Sequence, residues 1–342
     1  MGLISAASKV VEFAPVPDLL TRAGIEMLCG RTARHLRHAD AAVEAEFAKA
    51  MGAGPIAEHT QAANEQHYEV PAEFFRLVLG PHRKYSCCHY DSSTASLASA
   101  EERALRLTAE HAQLADGQDI LELGCGWGSL SLFMAQAYPN ARITAVSNSH
   151  SQREFIEHEA GLRQIRNLKV VTCDMNQFRT DASYDRIVSV EMFEHMRNWR
   201  ELFHKVHGWL KPSGLFFMHI FVHRTLPYLF TVEDDSDWMS RYFFSGGMMP
   251  SDDLALHCQD DLRLLRRWRW DGTHYQRTAE AWLRNLDDSR ASLWPLFERT
   301  YGVDADVWWM RWRLFFMSVA ELFGHDEGRQ WWVSHYLFEK RA

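Results

Sequence analysis

Three glycines at alternating positions follow an apolar run inside the stretch from Asp119 to Ser129. The run Ile120–Leu123 is typical of a buried strand, and the apolar residues after the glycines recur at helical spacing. Glycine lets a ligand approach the backbone without a Cβ atom in the way, and the first turn of a helix offers free N–H groups. We therefore predict a strand, a tight turn and a helix that bind a ligand, with Gly124, Gly126 and Gly128 in the turn.

A dinucleotide is not the expected ligand of this turn. Its fingerprint G-x-G-x-x-G would need a third glycine where Ser129 stands, and an acid about 20 residues further on. The second strand instead ends in Ser147-Asn148-Ser149. With Glu122 in front, the spacing acid-x-Gly-x-Gly-x-Gly resembles the turn that binds S-adenosylmethionine in class I methyltransferases. A plain strand-to-helix turn without a ligand is the alternative.

The composition is that of an ordinary globular protein of 342 residues, with 46% hydrophobic and 24% charged residues. Its formal net charge of -8, without a basic cluster, argues against nucleic acid and against adhesion to anionic lipid. No apolar run approaches the roughly 20 residues of a membrane span, and the N-terminus does not match a signal peptide. The six cysteines include no C-x-x-C pair, so we expect no zinc site, no disulfide framework and a cytoplasmic location.

Strand and helix patterns alternate after about residue 100, which predicts an α/β fold: a mostly parallel sheet with helices on both faces. Ligands of such sheets bind at the carboxyl ends of the strands. The expected strands are Ile120–Leu123, Arg142–Ser147, Lys169–Cys173, Asp185–Val190, Leu215–Phe221, Leu262–Trp270 and a closing strand Gln330–Phe338, and the expected helices are Ala100–Leu114, Gln152–Ala160, Asn198–Leu210, Ala279–Asp287 and Val307–Phe323.

Residues 1–99 are expected to form a helical extension with a loop over the cofactor, and residues 100–342 the main domain. Within the extension, helices are predicted from Asp18 to about Cys29, ended by Gly30, and from about Asp40 to Met51. The segment Tyr85–Tyr90 fits neither helix nor strand, and loops of this kind can close over a site. The regular pattern breaks at about 225–262, which we interpret as an insertion that covers the substrate.

Near the C-terminus, aromatic and apolar residues recur at helical spacing. This spacing predicts a buried helix face, and an aromatic cage around a substrate is the less favoured alternative. The residues concerned are Trp308, Trp312, Phe315, Phe316 and Val319.

Two carboxylates and an imidazole follow the predicted fourth strand, at Glu191, Glu194 and His195. One helical turn would bring Glu191 and His195 onto the same face, with Glu194 close to both. Neighbouring like charges raise a carboxylate pKa, so this set is suited to acid and base catalysis. The alternative is a structural histidine beside a salt-bridged glutamate. The spacing does not match a zinc motif, and Cys125 in the glycine turn is expected to be packed rather than nucleophilic.

Several motifs, taken together and in order, resemble the cyclopropane fatty acid synthase superfamily of methyltransferases, most closely its coclaurine N-methyltransferase branch. The resemblance extends from about Asn64 to the C-terminus. It implies a seven-stranded class I methyltransferase (Rossmann-like) sheet and S-adenosylmethionine as cofactor; from the residue spacing alone, no metal is expected. The motifs are Tyr85-Ser86-Cys87, the glycine turn, Asn148-Ser-x-x-Gln152, the segment Tyr184–His195, His274-Tyr275, Arg241–Ser251, Gln259-Asp-Asp261 and the tail from Trp312.

The resemblance also assigns roles to single residues. Contacts to S-adenosylmethionine are implied for eight of them, with Asp174 reading the adenine amino group and the ribose contact at Asn148 the least secure. The eight are Tyr85, Ser86, Gly124, Gly126, Asn148, Gln152, Asp174 and Met175.

Two catalytic sets are implied, and the sequence contains both. In the N-methyltransferase branch, Tyr68, Glu191 and His195 would position an amine and help to remove its proton. In the cyclopropane branch, a bicarbonate ion acts as the base, held by Cys87, Glu194, His219 and Tyr275.

The leading hypothesis is therefore methyl transfer to the nitrogen of a small amine, aromatic or isoquinoline-like. The rival is methylation or cyclopropanation of unsaturated acyl chains of phospholipids, and a third is a binding module without catalysis. The sequence leaves the oligomeric state open, and a homodimer is compatible with it.

Overall fold

The computed structural model describes residues 11–13, 16–37, 41–58, 70–94, 96–232 and 237–341. In chain order, the strands are β1 (Asp119–Leu123), β2 (Arg142–Ser147), β3 (Leu168–Thr172), β4 (Tyr184–Val190), β5 (Leu210–His223), β6 (Tyr228–Leu229), β7 (Met248–Met249), β8 (Leu262–Trp270) and β9 (Trp331–Lys340).

Seven of these strands form one sheet in the order β3-β2-β1-β4-β5-β9-β8. The first five strands in this order, β3, β2, β1, β4 and β5, are parallel to one another. Strand β9 is antiparallel to both β5 and β8. Parallel strands covered by helices on both faces need apolar residues throughout. Three of the four buried residues of β1, Ile120, Leu121 and Leu123, are apolar, and Glu122 is the exception. The sheet confirms the predicted class I methyltransferase fold.

The helices carry local signals that explain where they begin. Ser96 and Ser99 form a reciprocal capping box, and Asn198 and Asp271 each accept a backbone N–H of the first helical turn. The helices are α1 (Asp18–Arg37), α2 (Ala41–Met51), α3 (Ala72–Val78), α4 (Leu97–His111), α5 (Ser129–Ala137), α6 (His150–Leu162), α7 (Trp199–Trp209), α8 (Trp238–Tyr242), α9 (Gly272–Asp288), α10 (Arg290–Tyr301) and α11 (Ala305–Gly324).

One predicted helix end was wrong, and one helix was not predicted. The first helix does not end at Gly30, because its buried face continues through Ala33 and Leu36 and outweighs the cost of an internal glycine. Helix α10 was missed because it contains Pro295, which removes one helical hydrogen bond. The predicted closing strand is present as β9, and it lies between β5 and β8.

The N-terminal helix α1 packs against the C-terminal helices through partly buried ion pairs. Arg22 contacts Glu280 of α9 at 2.6 Å and Glu321 of α11 at 2.7 Å, and Arg313 binds Asp18 at 2.7 Å. Ion pairs therefore connect the N-terminal helix to the main domain. The domain boundary at residue 99 stays a prediction.

The expected aromatic face of α11 is mostly core, as predicted. Trp312 and Phe316 are fully buried, and Phe315 and Val319 nearly so, whereas Trp308 is half-buried. The expected insertion contains the β6–β7 pair and α8; residues 233–236 lie outside the described part. None of the helices in the described ranges combines the length and the apolar character needed to cross a bilayer.

Candidate active site

One cavity lies where the parallel strands end, at the edge of the sheet expected for a ligand. The glycine turn after β1, Asn148 after β2, Met175 after β3 and Glu191 after β4 all line it. Neighbouring strands therefore bring together side chains that are far apart in the sequence.

The three glycines of the turn have positive φ angles of 77° at Gly124, 51° at Gly126 and 77° at Gly128. A Cβ atom at Gly124 would lie 2.7 Å from the Met192 side chain, and one at Gly128 would lie 2.6 Å from Ile156. A Cβ atom at Gly126 would meet nothing within 4 Å. Packing therefore requires two of the glycines, while Gly126 leaves space for a ligand beside the backbone.

Buried polar atoms around this turn lack protein partners, which fits a polar ligand. Gln152 accepts from the Ser147 hydroxyl at 2.7 Å through Oε1, but its Nε2 has no hydrogen-bond partner among the described residues. The same holds for Trp127 Nε1 and Ser129 Oγ. Because unpaired buried donors are rare and costly, these atoms fit the acceptors of a nucleoside cofactor.

Glu122 lies at the base of the turn and is itself buried. It accepts a hydrogen bond from the Ser131 hydroxyl, and burial raises its pKa to about 8. Glu122 is therefore expected to carry a proton at neutral pH. Cys125 is also buried, as expected for a packed rather than a nucleophilic residue, and burial raises the pKa of its thiol.

Most residues assigned to the cofactor line this cavity: Tyr85, Ser86, Gly124, Gly126, Asn148, Gln152 and Met175. Asp174 is not among the residues of the cavity wall. Its carboxylate accepts the backbone N–H of Asn176 at 2.7 Å in the turn after β3. Its role toward adenine stays a prediction, and so do the other contacts.

Glu191 follows β4 in a left-handed conformation, with a φ of 47°. Such a backbone is uncommon for a residue with a side chain and is often found at functional sites. The carboxylate receives three hydrogen bonds. Cys87 donates its backbone N–H to Oε1 at 2.8 Å, Tyr275 donates its hydroxyl to Oε2 at 2.7 Å, and His219 Nε2 lies 3.2 Å from Oε1.

The two glutamates differ in their electrostatics, and the raised pKa expected for one carboxylate of the pair occurs at Glu194 and not at Glu191. Burial opposes the charge of Glu191, but the hydrogen bond from His219 and the nearby Lys84 and Cys87 N–H outweigh it and lower the pKa. Burial and the charge of Glu191 instead raise the pKa of Glu194 well above its ordinary value. Glu191 is thus the ionised partner and Glu194 the protonated one.

His195 reaches the cavity by another route than the predicted helical turn. Residues Phe193–His195 form a short 3-10 helix, so Glu191 and His195 are not one α-helical turn apart. The His195 ring still lines the cavity and stacks on Phe244 with centroids 5.7 Å apart. Burial lowers its pKa to about 4, which leaves a neutral imidazole near pH 7.

The remaining catalytic candidates lie in different places. Tyr275 lines the cavity, whereas Cys87, Glu194 and His219 are buried behind its wall. Glu194 accepts the backbone N–H of Phe221 at 2.8 Å. Tyr68 lies outside the described residues.

Sequence reasoning missed Lys84 and most of the aromatic wall. Lys84 is buried and donates to the Cys87 carbonyl at 2.7 Å and to the Ser86 hydroxyl, which fixes the loop around Cys87. Its position directly before Tyr85-Ser86-Cys87 was the available signal. Besides the predicted Tyr85 and Tyr275, the aromatic residues that line the cavity are Trp127, Phe221, Phe244, Trp282 and Phe315.

The strand order, the glycine turn and the site at the strand ends together define a class I methyltransferase. The chain belongs to the mycolic acid cyclopropane synthetase family, whose model matches residues 57–327. It is an S-adenosylmethionine-dependent methyltransferase.

Known relatives extend this comparison. The chain is 39% identical to an (S)-coclaurine N-methyltransferase of Thalictrum flavum subsp. glaucum over 291 residues, 84% of this chain and 81% of the relative. A crystal structure of coclaurine N-methyltransferase bound to N-methylheliamine and SAH has a TM-score of 0.93 and 35% identity, covering 99% of this chain and 100% of that one. A cyclopropane-fatty-acyl-phospholipid synthase of Escherichia coli (strain K12) is 29% identical over 70% of this chain and 59% of the relative.

Proposed function

We propose that the protein transfers a methyl group from S-adenosylmethionine to the nitrogen of a small amine that carries an aromatic ring, of the isoquinoline type. The (S)-coclaurine N-methyltransferase relatives support this substrate class, as does the solved structure with N-methylheliamine and SAH. The identity to a lipid-modifying relative is lower and spans less of that relative's length.

The observation that carries the proposal is the carboxylate of Glu191, held by three donors at the wall of an aromatic cavity. An amine is mostly protonated near neutral pH, and its ammonium form is attracted by a carboxylate and by aromatic faces. Phe244 and Phe315 lie 6.1 Å apart, centroid to centroid, and supply such faces. An uncharged acyl chain has no comparable use for a buried negative charge.

The reaction requires that the amine lose a proton, because an ammonium ion has no free lone pair. When bound, S-adenosylmethionine supplies a methyl group on positively charged sulfur. The proton passes from the amine nitrogen to Glu191 as the N–H bond breaks and an O–H bond forms, and neutral His195 can accept it as well. The aromatic wall orients the amine, and orientation supplies much of the acceleration in such transfers.

The cofactor side of the cavity fits S-adenosylmethionine through the residues assigned above. Gly126 leaves space beside the backbone, and Gln152 Nε2 offers a buried donor. Tyr85 and Ser86 lie on the loop that covers this side. We propose these four as cofactor contacts, together with Gly124, Asn148 and Met175.

We also propose that no bicarbonate is needed. The donors that the resemblance assigned to bicarbonate include His219 and Tyr275, and both already bind the Glu191 carboxylate. The backbone N–H of Cys87 does the same. These donors are therefore already used by a side-chain carboxylate, which supports amine chemistry over the alkene alternative.

Two lesser expectations belong to the same proposal. The segment 225–262 is proposed to cover the acceptor, because Phe244 within it lines the cavity. A cytoplasmic location is proposed because all six cysteines carry free thiols.

The test is an incubation with S-adenosylmethionine and separate acceptors, followed by mass spectrometry. The acceptors are tetrahydroisoquinolines with ring hydroxyl or methoxy groups, simple aliphatic amines, and vesicles of unsaturated phospholipid. A gain of one methyl group on the isoquinolines supports the proposal. Methylation of phospholipid alone, or cofactor binding without any product, would overturn it.

A further inference from the structure

Behind Glu191, three histidines form a continuous hydrogen-bonded chain. His219 Nδ1 lies 2.8 Å from His335 Nε2, and His335 Nδ1 lies 2.8 Å from His111 Nδ1. The register of β5 and β9 sets His335 directly opposite His219, so the inserted position of β9 creates the contact. His111 ends α4, and its half-buried ring stacks on Trp268 of β8 at 4.1 Å.

The chemistry of the carboxylate fixes the direction of each hydrogen bond. An ionised carboxylate only accepts, so His219 presents Nε2–H to Glu191. A neutral His219 then has its lone pair on Nδ1 and must accept from Nε2–H of His335. His335 in turn accepts at Nδ1 from the Nδ1–H of His111.

Burial keeps the three rings neutral, which this pattern requires. It lowers the pKa of His219 to about 4, that of His335 well below its usual value, and that of His111 in the same direction. The neighbouring imidazoles lower the pKa of His335 further. All three rings can therefore donate through one nitrogen and accept through the other.

We propose that His335 and His111 are positioning residues for the methyl transfer, which stabilise the tautomer of His219 that donates to Glu191. The inference rests on the proposed function, in which ionised Glu191 takes the amine proton. Neither residue lines the cavity, so both act through His219. Without them, His219 is free to carry its proton on Nδ1 and to turn a lone pair toward the carboxylate.

Other charged or titratable groups face this chain of histidines and the Glu191 carboxylate. They are Lys84, Cys87, Glu194, His195 and Tyr275 around Glu191, His89 beside His335, and Glu110 beside His111. Paired variants that differ only in where an amide is placed keep these groups constant.

Glutamine places its amide near the position of imidazole Nε2, and asparagine near Nδ1. His335→Gln therefore keeps a donor for His219, whereas His335→Asn removes it. At His111, whose Nδ1–H donates, the roles are reversed: His111→Asn keeps the donor and His111→Gln removes it. His204→Gln, on an exposed histidine of α7, is the control.

The first readout is the pH profile of kcat/KM with the same amine for all variants. We expect the acid limb to move up by about one pH unit in His335→Asn and His111→Gln, because loss of a donor favours the protonated carboxyl. His335→Gln, His111→Asn and the control keep the wild-type limb. Equal shifts within each pair, or no shift in His335→Asn, would overturn the proposal.

The second readout needs no turnover and separates this inference from the proposed function. Nitrogen-15 NMR of the histidine-labelled full chain reports each ring's tautomer, and His219→Gln assigns the His219 signals. The proposal is supported if His219 is neutral with its proton on Nε2 in the wild type, and if His335→Asn loses this tautomer while His335→Gln keeps it. A wild-type His219 that is charged or protonated on Nδ1 at neutral pH contradicts it, whether or not an amine is methylated.

Discussion

Tyr275 donates its hydroxyl to Oε2 of Glu191 over 2.7 Å, although the two residues lie 84 positions apart. The contact joins helix α9 to the end of strand β4, while the loop at Cys87 and strand β5 supply the other donors. Four separate parts of the polypeptide thus determine the position of the carboxylate. Its charge and its direction are properties of the whole fold.

Removing the Tyr275 hydroxyl should leave the Glu191 carboxylate less firmly oriented toward the amine, without disturbing the fold. In Tyr275→Phe, the ring can still stack on Phe323, whose centroid lies 4.5 Å away. A hydrogen bond to a charged group contributes about 1.5–3 kcal/mol, so kcat/KM for the amine should fall about tenfold or more near neutral pH. Steady-state kinetics measure this, with thermal unfolding as the check on stability. An unchanged kcat/KM would show that this hydrogen bond is not used.

Bicarbonate should not affect the wild-type enzyme. The donors of a bicarbonate site already bind Glu191, so degassed buffer and added bicarbonate should give the same methylation rate. Glu191→Gly removes the carboxylate, and glycine tolerates the φ of 47° at this position.

In Glu191→Gly, added bicarbonate should restore activity by about tenfold by occupying the vacated position. Chloride at the same ionic strength is the control and should restore nothing. A wild-type rate that depends on bicarbonate would contradict this account.

Two neighbouring phenylalanines on α11 should have separable effects. Phe315 lines the cavity, whereas Phe316 is fully buried and does not. Phe315→Leu removes an aromatic contact of about 1 kcal/mol and should raise the KM of the amine about fivefold. Phe316→Leu should lower the free energy of unfolding and leave that KM unchanged. Equal effects of both variants on KM would argue against an acceptor site at Phe315.

The acid sensitivity of folding can be tested at His223, which is buried outside the cavity. Burial lowers its folded pKa to about 4, below the unfolded value near 6.5. The unfolded chain binds the proton first as pH falls, so this group's stabilisation is complete above pH 6.5 and is lost toward pH 4.

From pH 7 to pH 5, the wild type should therefore lose about 2 kcal/mol more stability than His223→Asn. Urea unfolding at both values measures this difference. Replacement of the exposed His158 should leave the wild-type dependence unchanged. Parallel pH dependence in wild type and His223→Asn would show that His223 does not titrate in this way.

Much of the fold could be predicted because its signals are local. The apolar run before Gly124 and the helical spacing after Gly128 define β1 and α5, and both lie where expected. Helix α10 could not be recognised, since burial of Leu293 and Phe297 compensates for Pro295 only in the folded protein. The insertion of β9 beside β5 is a long-range pairing with no local signal.

The site, too, could be predicted only where its signals are local in the sequence. The position of Glu191 and His195 just after a predicted strand indicated that they lie beside the ligand, and both line the cavity. The sequence could not show which carboxylate is ionised, because that depends on His219 from β5 and on Tyr275 from α9. Nor could it show His335, which becomes relevant only through the sheet register.

The most direct test of the ionised carboxylate as the base is the turnover of Glu191→Gln. Glutamine keeps the size of the side chain and removes its charge. With saturating S-adenosylmethionine and amine, kcat should fall by about 10²- to 10⁴-fold, while calorimetry shows wild-type binding of the cofactor. A variant that binds the cofactor and methylates the amine at the wild-type rate would contradict the account.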